Sequence, residues 1–167
     1  MATTKGMNEL LIDFMRDIYY AERQILKALP KMAKAAQSEK LKQALLHHRE
    51  ETQGQVERLQ KAFEAMGERA RGQTCEAING IIEEGDEVVE EFEQGPVRDA
   101  GIVANAQAVE HYEMARYGTI VAWARGAGQK EVAELMEATL EEEKHADRLL
   151  NELAGKEINQ KAIKQAA

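Results

Sequence analysis

Four segments of the chain repeat apolar residues at alternating intervals of three and four, and each repeat has a glutamate in or beside its middle. Because an α-helix has 3.6 residues per turn, such a series lies on one face of a helix. Helices with one apolar face bury it by packing together, so the pattern predicts a helical bundle. The glutamates interrupt the apolar faces and are therefore predicted to point into the core.

The first stripe has Glu22 where an aliphatic residue would be expected. The third has Glu110 and Glu113, and the fourth has Glu142. The second has His48 in its polar middle, with Glu51 one turn away on its edge. In chain order the stripes are Leu11, Met15, Ile18, Glu22, Ile25, Leu29 and Met32; Leu41, Leu45, His48, Thr52, Gln55 and Leu59; Val103, Ala106, Glu110, Glu113, Tyr117, Ile120 and Ala124; and Val132, Leu135, Thr139, Glu142, Ala146, Leu149 and Leu153.

Carboxylates in a bundle core need compensation, because each desolvated charge costs several kcal/mol unless it is neutralised, paired or bound to a cation. Inward glutamates and histidines on four helices form the ligand set of di-iron and di-manganese carboxylate proteins. Oxygen-rich ligation suits iron or manganese. The pattern therefore predicts two bound metal ions, with two iron ions preferred and manganese as the alternative.

Two of the glutamates have competing interpretations. Glu22 would be an ordinary helix-edge residue if its side chain reached solvent from a partly open bundle, although the apolar stripe continues on both sides of it. Arg116 lies one turn after Glu113 and would neutralise it in an ion pair if that carboxylate were not a ligand. We favour the ligand role for Glu22 and Glu110 and leave Glu113 open between the two.

The histidines and the last carboxylate depend on helical register. His47 and His48 are separated by about 100° of rotation, so only one can face the core, and the stripe selects His48. In the fourth helix Glu142 has the best register and forms a Glu-x-x-His pair with His145. Glu143, on the adjoining stripe, is the alternative.

One aromatic side chain belongs with the predicted site. Tyr117 lies one turn past Glu113 on the same stripe, whereas the other aromatic residues suit the core or an interface. Tyr117 is therefore the candidate for a catalytic role as a redox or hydrogen-bonding neighbour of the metal ions.

Charge and composition limit the partners. The formal net charge is −8 and the pI near 5.2, which argues against binding nucleic acid or an anionic membrane. The single cysteine, Cys75, allows no internal disulfide and suits a reducing compartment. The chain has no apolar run long enough for a membrane span, and residues 1–8 do not resemble a secretory leader. The expected location is the cytoplasm.

The segments predict an all-α chain forming a single ferritin-like domain over residues 1–167. The expected helices cover about 8–36, 39–66, 75–93, 97–125 and 129–154, followed by a polar tail, 156–167, that frays or docks on a second subunit. The segment 75–93 would be a short helix within a long crossover, making the second and third bundle helices parallel neighbours. Pro30 should kink or end the first helix.

A set of motifs carries a family resemblance across nearly the whole chain. They are Asp17-Ile-Tyr19-Tyr-Ala21-Glu22-Arg-Gln24; His48-Arg-Glu-Glu51-Thr52 with Gly54-Gln-Val56-Glu-Arg58-Leu59; Glu110-His-Tyr112-Glu113 with Tyr117-Gly118; and Glu141-Glu142-Glu143 with Ala146-Asp147. In this order they resemble the YciE/YciF-like family of the ferritin-like superfamily, a bacterial domain of unknown function. The resemblance implies a four-helix bundle with a dimetal centre, a homodimer and a role in stress responses. It departs from ferritins at Gly54, where a ferritin has histidine.

The leading functional hypothesis is a di-iron oxidase or peroxidase acting on hydrogen peroxide or dioxygen. In it Glu51 and Glu142 bridge the ions, Glu22 and Glu110 are terminal ligands, and His48 and His145 complete the two sites. A manganese catalase-like enzyme is one alternative. Another is a metal-free helical interaction protein whose inward glutamates are protonated or paired with Arg23, Arg116 and Arg148.

Overall fold

The structure, a computed structural model, describes residues 5–165, and its regular elements are all helical. They are α1 (Met7–Ala35), α2 (Glu39–Ala65), α3 (Glu76–Glu91), α4 (Pro96–Gly126), α5 (Lys130–Leu153), a π-helical turn (Ala154–Ile158) and α6 (Asn159–Gln165). The prediction of an all-α bundle with a helix in the crossover is confirmed. Among the described residues, no helix is both long and apolar enough to cross a membrane.

The helix ends follow local sequence signals. The Ser38 hydroxyl accepts a hydrogen bond from the backbone N–H of Leu41 and caps α2. Pro96 starts α4, where its missing N–H is not needed. After α2 and α4 the backbone turns through Gly67 and Gly128, whose φ angles of 69° and 74° favour glycine. These turns leave two helical hairpins, α1–α2 and α4–α5.

The two hairpins pack so that α2 contacts α1 and α5, and α4 contacts α1 and α5. The Asp99 carboxylate at the start of α4 accepts hydrogen bonds from the backbone N–H groups of Gln37 and Ser38 at the start of α2. Therefore α2 and α4 begin at the same end of the bundle and run parallel, with α3 returning the chain between them, as in ferritin-like folds. They lie diagonally opposite each other, so the prediction that they are neighbours is wrong.

Helix α1 continues past Pro30 to Ala35, close to its predicted end near residue 36, because proline removes only one hydrogen bond and the packed apolar face holds the last turn. The expectation for the end of the chain is corrected. The predicted polar tail is helical as far as Gln165, and α6 packs on α4. Ile158 and Ala162 are buried there, which gives the segment enough apolar contact to stay ordered.

The core has a polar layer between two apolar regions. Aliphatic and aromatic side chains from all four long helices fill the ends of the bundle. Halfway along, the buried side chains are instead polar or acidic: Glu22, His48, Thr52, Gln55, Glu110, Glu113, Thr139 and Glu143. This layer is where the candidate functional site lies.

Candidate metal centre

Four side chains from three helices converge in the polar layer. His48 of α2, Glu110 and Glu113 of α4 and Glu143 of α5 each direct a ligand atom to one place, and these four atoms all lie within 4.8 Å of one another. Ligand atoms bound at about 2.0–2.3 Å from one cation can be at most twice that distance apart, which is close to the 4.8 Å found here. The cluster therefore has the size and the donor types of a metal site.

Several oxygen atoms in this layer have no protein partner. Both carboxylate oxygens of Glu113 are buried without a hydrogen bond, as is one oxygen each of Glu22, Glu110 and Glu143. A buried acceptor left unpaired costs about 1–3 kcal/mol, and more when it is charged. Cations would satisfy these oxygens, so the residues present fit a metal centre better than they fit a metal-free core.

The electrostatics of the cluster lead to the same conclusion. Burial, reinforced by the charge of Glu143, raises the pKa of Glu22 to about 8 in the metal-free chain. Burial also raises the pKa values of Glu110 and Glu113 well above the ordinary glutamate range. Without a cation these side chains hold protons near neutral pH, and a divalent ion would replace those protons.

His48 presents one ring nitrogen to the cluster and the other to a neighbouring acid. Its Nε2 atom is 3.1 Å from Oε1 of Glu110 and 3.8 Å from Oε2 of Glu143. Its Nδ1 atom is 3.5 Å from Oε2 of Glu51. Burial lowers the pKa of His48, but the hydrogen bond to Glu51 and the charges of Glu143 and Glu22 outweigh it and raise that pKa overall.

Glu51 therefore lies outside the cluster and reaches it through His48. A carboxylate on the far nitrogen of a histidine orients the ring and leaves the near nitrogen for a metal. The hydrogen bond to His48 holds the pKa of Glu51 below its usual range, so this side chain is negatively charged at neutral pH. Its side chain is 19% exposed, in contrast to the cluster residues, and faces a pocket at the surface.

Two other side chains hold the cluster carboxylates in place. The Tyr117 hydroxyl donates a hydrogen bond to Oε1 of Glu22. The Gln55 amide donates to Oε1 of Glu143 and, at 3.1 Å, to Oε2 of Glu142. Tyr117 is fully buried, and burial next to Glu22 raises its pKa well above that of a free tyrosine. Both side chains therefore act as fixed neutral donors to the acids.

The prediction that Glu142 faces the core is wrong, and the alternative, Glu143, takes the inward position. Glu142 is half-buried at the α2–α5 seam, where it forms an ion pair with both terminal nitrogens of Arg58. Arg58 also donates to the Thr139 hydroxyl. This anchor for Glu142 was not singled out from the sequence, where Arg58 lies one turn past Gln55 with no further signal.

The structure thus brings together Glu22, His48, Glu110, Glu113 and Glu143, with Tyr117 bonded to Glu22. It does not bring in three of the predicted ligands. His145 is exposed at the rim of the pocket beside Glu51, because the register that turns Glu143 inward turns His145 outward. Within the described part of the chain, the ion pairs of Glu51 are with His48 and His47, and that of Glu142 is with Arg58.

In the metal-free alternative three arginines pair with the inward acids, but in the structure these arginines lie elsewhere. Arg116 lies beside Asp17 and donates to Tyr112, and Arg23 lies over the Tyr19 ring. Arg148 is exposed. Within the described residues, the salt bridges of the cluster acids involve only His48.

Comparison with known proteins places the chain in a family. Residues 6–163 match the model described as domain of unknown function DUF892. The chain belongs to the DUF892 family. Protein YciF of Escherichia coli strain K12 is 43% identical over 163 residues, which cover 97% of this chain and 98% of that protein.

Several solved structures have the same fold. The crystal structure of the E. coli stress protein YciF gives a TM-score of 0.90 at 43% identity and covers 95% of this chain and all of that one. YcfI of Rhodopseudomonas palustris, provisionally described as a structural protein, gives 0.87 at 49% identity over 90% of this chain and 96% of that one. A protein of Xanthomonas campestris gives 0.76 at 23% identity over 97% and 100%, a likeness of fold alone.

Proposed function

We propose that this protein binds two iron ions in the polar layer and uses them to reduce hydrogen peroxide or dioxygen. The observation that carries the proposal is the group of buried carboxylate oxygens without partners around His48. Such oxygens would be a large liability in a purely structural core. They are the ligand atoms expected of a dimetal-carboxylate protein.

His48, Glu110, Glu113 and Glu143 are the residues that would hold one ion. Glu22, buried beside them with one unpaired oxygen, would supply a carboxylate to the other. Glu22 lies close enough to Glu143 for their charges to interact strongly. When bound, iron would supply the electrons for reducing the oxidant.

The chain's own residues limit what can reach the site. Two cavities reach Glu110, one between α1, α3 and α4 and the other between α2 and α5, and each has free space of about 20 Å³. This space holds about one water molecule. A substrate of the size of hydrogen peroxide or dioxygen fits such a cavity. Tyr117 keeps its proton, because burial beside Glu22 raises its pKa well above that of a free tyrosine, and its hydroxyl orients Glu22 by a hydrogen bond.

The biological setting is proposed from relatives. YciF of E. coli is described as a stress protein, and peroxide removal would be a stress function. We expect a cytoplasmic homodimer that binds neither nucleic acid nor membrane, in keeping with the negative net charge.

The test is metal content followed by oxidant consumption. The protein would be purified after growth with iron and manganese, reconstituted anaerobically with Fe(II), and analysed by elemental mass spectrometry. The Glu22→Ala, Glu110→Ala double variant removes two cluster acids. Its matched control, Glu134→Ala with Glu137→Ala, removes two surface glutamates of α5, the first exposed and the second half-exposed. Loss of hydrogen peroxide or dioxygen would then be followed with an electrode.

The proposal would be supported by about two irons per chain in the wild type and the control and none in the cluster variant. Oxidant consumption should follow the iron content. Two manganese ions after growth would favour the catalase-like alternative. One iron per chain would contradict the dimetal assignment. No metal after reconstitution would contradict it altogether and favour a metal-free interaction protein, whose buried acids stay protonated as their raised pKa values allow.

A further inference from the structure

The pocket between α2 and α5 reaches from the surface to the acidic cluster, and four polar side chains lie along it among aliphatic ones. His145 is exposed at its rim, Glu51 is 19% exposed, and the side chains of His48 and Glu110 at its inner end are 6% and 2% exposed. The Nε2 atom of His48 and one oxygen of Glu110 have no hydrogen-bond partner. We propose that this pocket is the uptake route for the metal cation, with Glu51 transferring the ion from the surface histidines to His48 and Glu110.

The position of Glu51 suits a transfer residue. Its two carboxylate oxygens contact different histidines: Oε1 is 3.4 Å from Nε2 of the exposed His47, and Oε2 is 3.5 Å from Nδ1 of the buried His48. A cation bound at Oε1 would have His47 as its second ligand, and the Nε2 atom of His48 with Glu110 would be the next donors inward. Glutamate and histidine are both ligands for divalent transition metals, so the ion keeps a donor at each step inward.

Because the pocket is narrow, a cation needs a ligand such as Glu51 to pass along it. Free space of about 20 Å³ admits roughly one water molecule, so a hydrated cation must lose most of its water shell to pass. The loss is unfavourable unless protein donors replace the water. A negative carboxylate halfway in the pocket supplies both a donor and an attractive charge, which raises the rate of association.

The second cavity that reaches Glu110 does not suit a cation. Both cavities have aliphatic walls, but in this one the ionisable lining residues are Asp86, exposed at its edge, and Glu110 at its inner end. Between that edge and Glu110 it has the neutral side chain of Asn105, whose amide already donates to the carbonyl of Ile81 at 2.7 Å. A cation would lack charged donors along this path.

The proposal rests on the proposed metal site and is tested by the rate of loading. Cobalt(II) would be mixed with the metal-free full chain in a stopped-flow spectrometer at low ionic strength, and its visible absorption followed. Glu51→Gln removes the charge but keeps an oxygen that can accept from His48. Glu50→Gln, one residue earlier and exposed, makes the same change in net charge outside the pocket. His145→Ala tests the rim independently.

At saturating cobalt(II) Glu51→Gln should load about tenfold more slowly or worse and still reach the wild-type stoichiometry, although its affinity for cobalt falls because its amide orients the His48 ring less firmly. Glu50→Gln should load within about twofold of the wild-type rate, and His145→Ala should fall between the two. An unchanged rate in Glu51→Gln would overturn the uptake route while leaving the metal site intact. A lower final stoichiometry would overturn it as well, because Glu51 would then be a ligand of the bound ion. No cobalt binding by the wild type would overturn the metal site itself.

Discussion

The hydroxyl of Tyr117 donates a hydrogen bond to Oε1 of Glu22 inside the bundle, although the two residues are 95 positions apart in the chain. The bond joins α1 to α4 at the level of the acidic cluster. It lowers the pKa of Glu22, whereas burial and the charge of Glu143 raise it. Among the groups around Glu22, Tyr117 therefore does most to favour the ionised form of this carboxyl in the absence of metal.

Tyr117→Phe should destabilise the metal-free protein by about 1–3 kcal/mol, because it leaves a buried acceptor on Glu22 unpaired. The free energy of unfolding would be measured by urea denaturation with a chelator present. Tyr20→Phe is the matched control, since the Tyr20 hydroxyl donates to Asn79 at 3.0 Å in a half-buried position. The control should lose no more than about 1 kcal/mol. Equal losses in the two variants would contradict a special role for the Tyr117 bond.

The metal-free protein should become less stable as the pH rises from about 5 to 8. Glu22 titrates near 8 when folded and near 4.5 when unfolded, so the folded state binds more protons in this range. Stability from this residue is complete below the unfolded pKa and is lost as the pH rises through the folded pKa. Glu110 and Glu113 act in the same direction. The expected loss from Glu22 is about 1 kcal/mol per pH unit.

The Glu22→Gln variant isolates this contribution from that of the surface groups. Unfolding free energies of the wild type and the variant would be compared at several pH values with chelator. The variant should show a shallower decline, because its amide does not titrate and can still accept from Tyr117. A wild type that gains stability toward pH 8, or a variant with the same slope, would mean that Glu22 is already ionised in the folded chain.

Much of the fold and part of the site could be predicted from spacing alone. The apolar stripes identified α1, α2, α4 and α5, and Glu22, Glu110 and Glu113 interrupt those stripes clearly enough to be placed inside. In α5 the predicted stripe and the buried one share Val132, Thr139 and Ala146. The predicted stripe passes through Glu142 between Thr139 and Ala146, whereas the buried one passes through Glu143. Spacing cannot choose between such stripes, and the choice is made by Arg58, which contacts α5 from α2 and holds Glu142 at the seam.

The end of the chain was missed for a different reason. The last described turns have few apolar residues, and their burial depends on the surface that α4 offers them. Local sequence carries little information about such a contact. The diagonal placement of α2 and α4 likewise depends on the packing of all four helices, which a crossover by itself leaves open.

The variants Glu143→Gln and Glu142→Gln should show which of these two glutamates faces the metal site. We expect Glu143→Gln to lose most of the bound metal, while in chelator it is at least as stable as the wild type, because it removes a buried charge. Glu142→Gln should keep the metal and lose about 1 kcal/mol or less by weakening a half-exposed ion pair. Cobalt binding by equilibrium dialysis and urea denaturation measure the two effects. Metal loss in Glu142→Gln alone would contradict the inward position of Glu143.

Two glycines in α3 should respond to alanine in opposite ways. A Cβ atom on Gly85 would lie 2.4 Å from Oδ1 of Asn105, the side chain that holds the Ile81 carbonyl. Gly85→Ala should therefore cost about 1–3 kcal/mol, because it displaces the buried Asn105 side chain and breaks its hydrogen bond to Ile81. A Cβ atom on Gly80 would have no neighbour within 4 Å, so Gly80→Ala should stabilise α3 by about 0.5–1 kcal/mol. Urea denaturation tests both. The same sign of change in the two variants would contradict close packing at Gly85.

Asp99 should be the most sensitive polar residue outside the cluster. Its two carboxylate oxygens accept from the backbone N–H groups of Gln37 at 2.7 Å and Ser38 at 2.8 Å, and the residue is buried. Asp99→Ala leaves both donors without a partner at the start of α2 and should cost about 3 kcal/mol. Ser38→Ala, the matched control, removes a long capping bond of 3.4 Å and should cost about 0.5 kcal/mol.

Urea denaturation gives the free energy of unfolding, and hydrogen exchange at Gln37 and Ser38 shows where the change occurs. In Asp99→Ala these two amides should exchange faster relative to the middle of α2, because their only acceptor is gone and the turn opens locally. A loss below about 1 kcal/mol with unchanged exchange would mean that solvent replaces the carboxylate. In that case the Asp99 bridge would not fix the parallel start of α2 and α4, and helix packing alone would set the direction of α4.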